Sequence, residues 1–352
     1  MIDRLTIAHE YGAPRHFTAL YCLQKQGFVK EIRTMEFNIP LQIGKAAVYR
    51  SRGVLSRCLY NVKELTKLLF VDDATIIIGA APYDPAMLFL HKLRKRNRIV
   101  YFTSWPFWGE RHAKKPLLPT VKGAWHNFLS GTLTVAVTEA ASRGVTKYGA
   151  MAVHIPHSVD TQVFTKTPGS PKTDSINILF VGSLAEGKGI PMLLDVIGAG
   201  HWPRDVQFWF VGDGPYKQQI IAMRENHPVK YLGYISEGKD LASIYQQADI
   251  FILPSTSEIF GIVLIEAMAS GLPIVSTDCV GPKEIIDNNE NGFLIPRGDK
   301  EELRERLMQL IENPALREEM GARGRKKAEE VYDVKVIAAK WQAILESLSA
   351  NE

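Results

Sequence analysis

The chain has 352 residues, 46% of them hydrophobic and 23% charged, with only three cysteines. That length exceeds one typical domain and fits two, each able to bury its own core. Cys22, Cys58 and Cys279 stand far apart and without metal-ligand spacing. This argues against a disulfide framework or a zinc site and points to reduced thiols in a cytoplasmic protein. The opening residues, MIDRLTIAHEYG, lack the apolar core and cleavage pattern of a signal peptide. No apolar run approaches the roughly 20 residues of a membrane span. The net charge of +4 hides a division: residues 1–170 hold 23 Lys and Arg against 11 Asp and Glu, and residues 171–352 hold 19 against 27. A half at +12 joined to a half at −8 predicts two domains, the first of which meets something anionic.

In chain order, the first half alternates short β-rich runs with amphipathic stretches. Val54, Leu55, Cys58, Leu59, Val62, Leu65 and Leu69 recur at helical spacing, with Arg57, Lys63 and Lys67 outward. The runs at 75–81, 98–103, 133–137 and 151–156 read as buried strands. Strands alternating with helices imply a parallel sheet covered on both faces. Residues 104–131 mix Trp105, Phe107, Trp108, Trp125 and Phe128 with Lys114, Lys115 and Lys122, and 91–98 reads HKLRKRNR. Aromatic rings at headgroup level with basic residues among them predict docking on an anionic membrane surface. The stretch TKTPGSPKTDS at 165–175 reads as an interdomain linker.

The second half restarts the pattern, with strands expected at 176–182, 206–212, 249–255 and 272–277 and closing helices near 300–312, 314–330 and 336–348. Two doubly wound α/β domains facing across a cleft follow, with ligands expected beyond the carboxyl ends of the strands and the active site in that cleft. After the strand at 249–255 comes PSTSEIFGIVLIEAMASGLP. Gly271 and Pro273 stop the following helix, which must begin near Gly261. Glu258 then lies in the loop before it, and Glu266 lies inside a helix that is apolar all round. A buried carboxylate is costly unless paired or hydrogen-bonded. Either a basic core residue answers Glu266, or ligand hydroxyls do. The N–H groups of Gly261, Ile262 and Val263 offer the usual seat of a phosphate. Free amides between two carboxylates suit a sugar, a diphosphate and a ribose.

These residues carry a resemblance. The segment from Pro254 to Pro296, with two glutamates separated by seven residues, resembles the C-terminal signature of the retaining glycosyltransferases of family four. FVGSLAEGKG (180–189), VGDGP (211–215), YLGYIS (231–236) and ADIFILPS (248–255) match that family's other blocks in order and spacing. EYGAPRHFTAL (10–20), VTEAASRGVTKYGA (137–150) and HIPHSVDTQVF (154–164) are similar to its first-half motifs, so nearly the whole chain is covered. The resemblance implies an α/β GT-B fold of two Rossmann-like domains. An acceptor domain at 1–165, with the helix near 336–350 packing back on it, would precede a nucleotide-sugar domain at 166–335. It implies that Glu266 holds the ribose and Glu258 the donor sugar, while Lys188 neutralises the leaving diphosphate. The backbone at Gly233 and Tyr234 would meet the base, and Gly12, Ser183, Phe260, Gly261, Ile262 and Val263 would complete the donor site.

Three features depart from the family pattern. Ser183 stands where an arginine is usual, so diphosphate binding would lean on Lys188 and the helix amides, with Arg15 a further contributor. The first loop has Gly12 followed by Ala13 and Pro14 in place of paired glycines, and Thr103, Ser104 and Trp105 occupy the usual site of a histidine. Acceptor or membrane contacts are expected at Arg15, Ser104, Trp105, Trp108, Lys114 and Lys115, and His9, His16 and His157 are read as structural or acceptor-loop residues. No Asp-x-Asp motif stands in a suitable loop, so neither metal nor cofactor is expected. The implied enzyme is a retaining hexosyltransferase using a UDP-sugar first and GDP-mannose second. It would act in cell-surface polysaccharide or glycoconjugate synthesis on a glycan or lipid-linked acceptor, at the inner face of the membrane, without nucleic acid. The alternatives are the same chemistry on a soluble acceptor, or a non-catalytic nucleotide-sugar-binding protein of the same fold.

Overall fold

A computed structural model describes residues 1–9, 14–36, 75–79, 97–105, 119–165, 175–236 and 238–349. The helical run at 54–69 and most of the basic stretch 91–98 lie outside these residues, as do 106–118 and most of the linker. The chain forms two compact units, Met1–His157 with Ile337–Glu352, and Ser158–Val336.

The first unit holds strands β1 (Ile2–His9), β2 (Val29–Glu36), β3 (Thr75–Gly79), β4 (Arg98–Thr103), β5 (Leu133–Ala136) and β6 (Met151–His154). They form one parallel sheet in the order β2-β1-β3-β4-β5-β6. Ile76, Ile77 and Ile78 of β3 are fully buried, as a central strand covered on both faces requires. Trp125 and Phe128, on the helix Pro119–Leu129, do not face a membrane. Both are 2% exposed and pack edge-on against Tyr101 of β4 at 5.6 and 5.8 Å, their three-residue spacing turning both rings onto the sheet.

The second unit holds β7 (Ile176–Val181), β8 (Val206–Val211), β9 (Val229–Gly233), β10 (Ile250–Leu253), β11 (Ile274–Thr277) and β12 (Gly292–Ile295). Its sheet is parallel throughout, in the order β12-β11-β10-β7-β8-β9. The chain winds outward from β7 to β9, then returns to β10 and winds the other way. The order therefore reverses between β7 and β10, the place where doubly wound sheets usually bind their ligands. In the first sheet the reversal falls between β1 and β3.

The closing helices are Lys300–Glu312 and Pro314–Lys327, the latter running into a π turn at Ala328–Tyr332, and then Val334–Ser349. Asp299 and Asn313 cap the first two by accepting from Glu302 N–H and Leu316 N–H. Trp341 of the last helix is buried near Phe102 of β4, ring centroids 6.2 Å apart.

Candidate active site

Both loops at the β7/β10 reversal are built to face each other. After β7 the chain makes a tight turn, Glu186–Lys188, closed by Gly189 in the left-handed region at φ 74°. Any side chain at Gly189 would collide with the carbonyl of Pro254 at the end of β10, so the two loops approach as closely as backbone allows. Thr256 straps them together, its N–H and its hydroxyl both donating to Gly187 O, at 3.1 and 3.3 Å. The loop after β10 is held from behind as well. Ser255 O accepts from Thr277 Oγ1 at 2.5 Å and Cys279 Sγ at 3.2 Å, and Glu258 O accepts from Gly281 N–H at 3.1 Å.

This double clamp delivers Lys188 to Glu258. The Nζ of Lys188 donates to Glu258 Oε2 at 2.6 Å, with side-chain exposures of 33% and 10%. A mostly buried carboxylate and a half-buried ammonium are thereby fixed at the reversal point of the sheet, each satisfying the other's charge.

Three residues past Glu258, Gly261 turns the chain into the helix Ile262–Ala269 at φ 91° and makes no side-chain cap. The first N–H groups of a helix have no intrahelical acceptors, and the helix dipole adds positive potential there. Ile262 and Val263 are half-buried at this end. Phe260 is buried edge-on against Tyr332, centroids 6.3 Å apart. Glu266, a turn deeper, is 4% exposed, and the hydroxyl of Tyr245 donates to its Oε2 at 3.0 Å. The Tyr245 hydroxyl, which the sequence reading did not foresee, is thus a partner of this carboxylate.

At the far end of the sheet, Gly233 closes β9 at φ 82° and its carbonyl accepts from Gly212 N–H at 2.8 Å. Tyr234 follows and is 59% exposed. Ser183 is exposed after β7, and its carbonyl accepts from Ala185 N–H at 2.9 Å.

The first-half residues form a separate group. Arg15 and His16 lie in the turn Pro14–Phe17, and His16 Nδ1 stands 3.3 Å from His157 Nε2. Burial, seconded by the charge of Arg15, lowers the His16 pKa to about 4. Ser104 and Trp105 follow β4 half-buried, with Trp105 N–H donating to Thr103 Oγ1 at 3.1 Å. Gly12, Trp108, Lys114 and Lys115 lie outside the described residues. Among the described residues, no three His, Cys, Asp or Glu side chains gather as metal ligands do, and no helix is long and apolar enough to cross a membrane.

The sequence model of the glycosyl transferases group 1 family matches residues 164–327, a segment that contains Lys188, Glu258 and Glu266. This part of the chain belongs to that family. Among curated relatives, the chain is similar to the phosphatidyl-myo-inositol mannosyltransferase of Mycobacterium leprae. The two are 32% identical over 237 residues, which is 64% of this chain and 62% of that one. The sulfoquinovosyl transferase of Arabidopsis thaliana is 31% identical over 46% of this chain and 32% of its own. The chain thus spans less than two thirds of the length of these relatives. Solved structures extend the likeness to both units. Anabaena HepE, crystallised with UDP, superposes with a TM-score of 0.75 at 21% identity over 99% of this chain and 100% of its own. The sucrose-phosphate synthase of Thermosynechococcus elongatus superposes with a TM-score of 0.76 at 17% identity over the same shares. At these identities the likeness gives the fold, which is GT-B.

Proposed function

We propose that the protein is a retaining glycosyltransferase that moves a sugar from a nucleotide-sugar to a glycan or lipid-linked acceptor. The observation that carries this reading is the Lys188–Glu258 pair, held at 2.6 Å where the second sheet reverses its strand order and next to an uncapped helix start. A diphosphate placed there would take the amides of Ile262 and Val263 and the ammonium of Lys188, and Glu258 would turn to the hydroxyls of the donor sugar. Glu266 would accept the ribose hydroxyls, and the base would lie against Gly233 and Tyr234. The family assignment supports this reading, as do HepE structures solved with UDP and with UDP-glucose. A UDP-sugar is the first donor to test and GDP-mannose the second.

In the reaction, the bond from the anomeric carbon to the diphosphate oxygen breaks as the acceptor hydroxyl oxygen bonds to the same face of that carbon. The acceptor's proton passes to the departing oxygen, so no enzyme-bound sugar forms. Charge grows on the leaving diphosphate, and a fixed ammonium with a helix dipole stabilises the transition state more than the bound donor. That arrangement performs the part a divalent ion plays elsewhere, so transfer proceeds without added metal.

The donor site is assigned to 166–335 and the acceptor to 1–165. A lipid-linked acceptor fits the +12 charge of residues 1–170 and a relative named for a phospholipid. Lys114 and Lys115 would meet an anionic leaflet, placing the protein peripherally at the inner membrane face. The deciding experiment measures nucleotide release from UDP- and GDP-sugars with and without a lipid or glycan acceptor. Release that needs the acceptor supports transfer. Tight donor binding with no acceptor-dependent release would favour a binding module. Cosedimentation with vesicles checks the membrane: binding should require phosphatidylglycerol, weaken with salt and fall in Lys114→Glu/Lys115→Glu.

A further inference from the structure

We infer that Tyr245 is a positioning residue for nucleotide binding, its hydroxyl orienting the carboxylate of Glu266 toward the ribose. The inference rests on the reading of Glu266 given above and adds a residue that the sequence reading did not single out. Tyr245 sits on the helix Lys239–Gln246, fully buried. Its hydroxyl has a single proton, and among the described residues it reaches Glu266 Oε2 at 3.0 Å and Val263 O at 3.4 Å. The nearer, anionic oxygen makes the stronger bond.

The ring that carries this hydroxyl cannot swing away. It stacks on Phe251 of β10 at 5.7 Å and 25° and meets Phe164 edge-on at 5.5 Å and 79°. Phe164 is itself held, its carbonyl accepting from Arg325 Nη1 at 2.6 Å, and the same nitrogen reaches Ala269 O at the end of the Glu266 helix. Tyr245 is therefore a rigid post set between the strand that leads to Glu258 and the helix that carries Glu266. A phenylalanine would fill the same volume and bury the same rings. What the hydroxyl adds to such a ring is the hydrogen bond that holds one oxygen of the Glu266 carboxylate in place. Its distance from Val263 O also ties the post to the first turn of the helix, beside the amides assigned to the diphosphate.

The test is a cycle of two nucleotides against three proteins, read by calorimetry on the full chain. The probe is whichever of UDP, GDP and ADP binds wild type most tightly, beside its 2′,3′-dideoxy counterpart. Wild type should prefer the ribonucleotide by about tenfold or more, as loss of hydrogen bonds to a charged group predicts. Tyr245→Phe should shrink that ratio to about threefold or less while leaving dideoxynucleotide affinity within about twofold, and Glu266→Gln should shrink it too. If Glu266→Gln collapses the ratio and a folded Tyr245→Phe keeps it, the ribose reading stands and the role of Tyr245 is overturned. A purely structural Tyr245 would lower the melting temperature and weaken both nucleotides equally, which also overturns it. A ratio unchanged in Glu266→Gln, or no nucleotide bound by wild type, removes the ribose reading itself.

Discussion

The two sheets are close in plan and opposite in the chemistry they hold at their strand ends. Where the second reverses, between β7 and β10, an ammonium and a carboxylate stand 2.6 Å apart. The polar groups after β1 and β6 of the first sheet form instead a pair of imidazoles packed among rings. His16 lies 4.7 Å from the His157 centroid, and Phe102 touches both His157 and Trp341. Burial pushes the His16 pKa down to about 4, whereas in the second sheet Lys188 and Glu258 meet as an ion pair. A doubly wound scaffold thus fixes where polar groups gather, and the loops decide whether those groups are charged.

Breaking the charged pair should have the largest effect. Lys188→Ala should lower kcat at saturating donor by about 10²–10³-fold, the range for losing one preorganised electrostatic contact to a developing charge. Lys326→Ala, whose side chain is 75% exposed, should leave kcat unchanged. Glu258→Ala should mainly slow transfer, with a melting curve to separate the loss of a partner for Lys188 from misfolding.

Charging His16 tests the other side. His16 has a pKa of about 4 when folded against about 6.5 when unfolded, so between these values the unfolded chain binds more protons. Stability from this group is complete above about pH 6.5 and is lost as pH falls toward 4, by about 3 kcal/mol at most. Denaturant midpoints across pH 4–7 should fall on this schedule in wild type and flatten in His16→Asn.

Third in size is the contact proposed between Glu266 and the ribose. Glu266→Ala should weaken nucleotide binding by about 1.5–3 kcal/mol. Unchanged affinity would remove Glu266 from the site. The smallest expected effect comes from metal removal: chelator should leave turnover within experimental scatter if, as proposed, Lys188 and the helix start carry the diphosphate. A strict requirement for added Mg2+ or Mn2+ would contradict that assignment.

Four of the six strands in each half were legible in sequence as apolar runs, β3 to β6 in the first and β7, β8, β10 and β11 in the second. The expected 176–182 and 206–212 are Ile176–Val181 and Val206–Val211. β1 and β2 escaped notice because charges interrupt them. In β2, an edge strand, Lys30, Glu31 and Arg33 are exposed and pair along the surface, Lys30 with Asp3 at 2.6 Å and Arg33 with Glu31 at 2.8 Å. β9 and β12 escaped notice as well. Glu266 was legible as a carboxylate inside an apolar helix, but its bond to Tyr245 was not, nor was the meeting of Lys188 with Glu258 across 70 residues. Both depend on the strand order, which no local pattern encodes. The same limit misplaced Trp125 and Phe128, whose spacing fits a membrane face and a core face equally.

The central claim is that the β7/β10 reversal is a diphosphate site completed by Lys188. Its most direct test is a thermal-shift titration of wild type and Lys188→Ala with UDP, GDP and ADP. One nucleotide, at about 100 times its dissociation constant, should stabilise wild type by about 2.7 kcal/mol and the variant by clearly less at the same concentration. No shift with any of the three, or an equal shift in both proteins, would contradict the account.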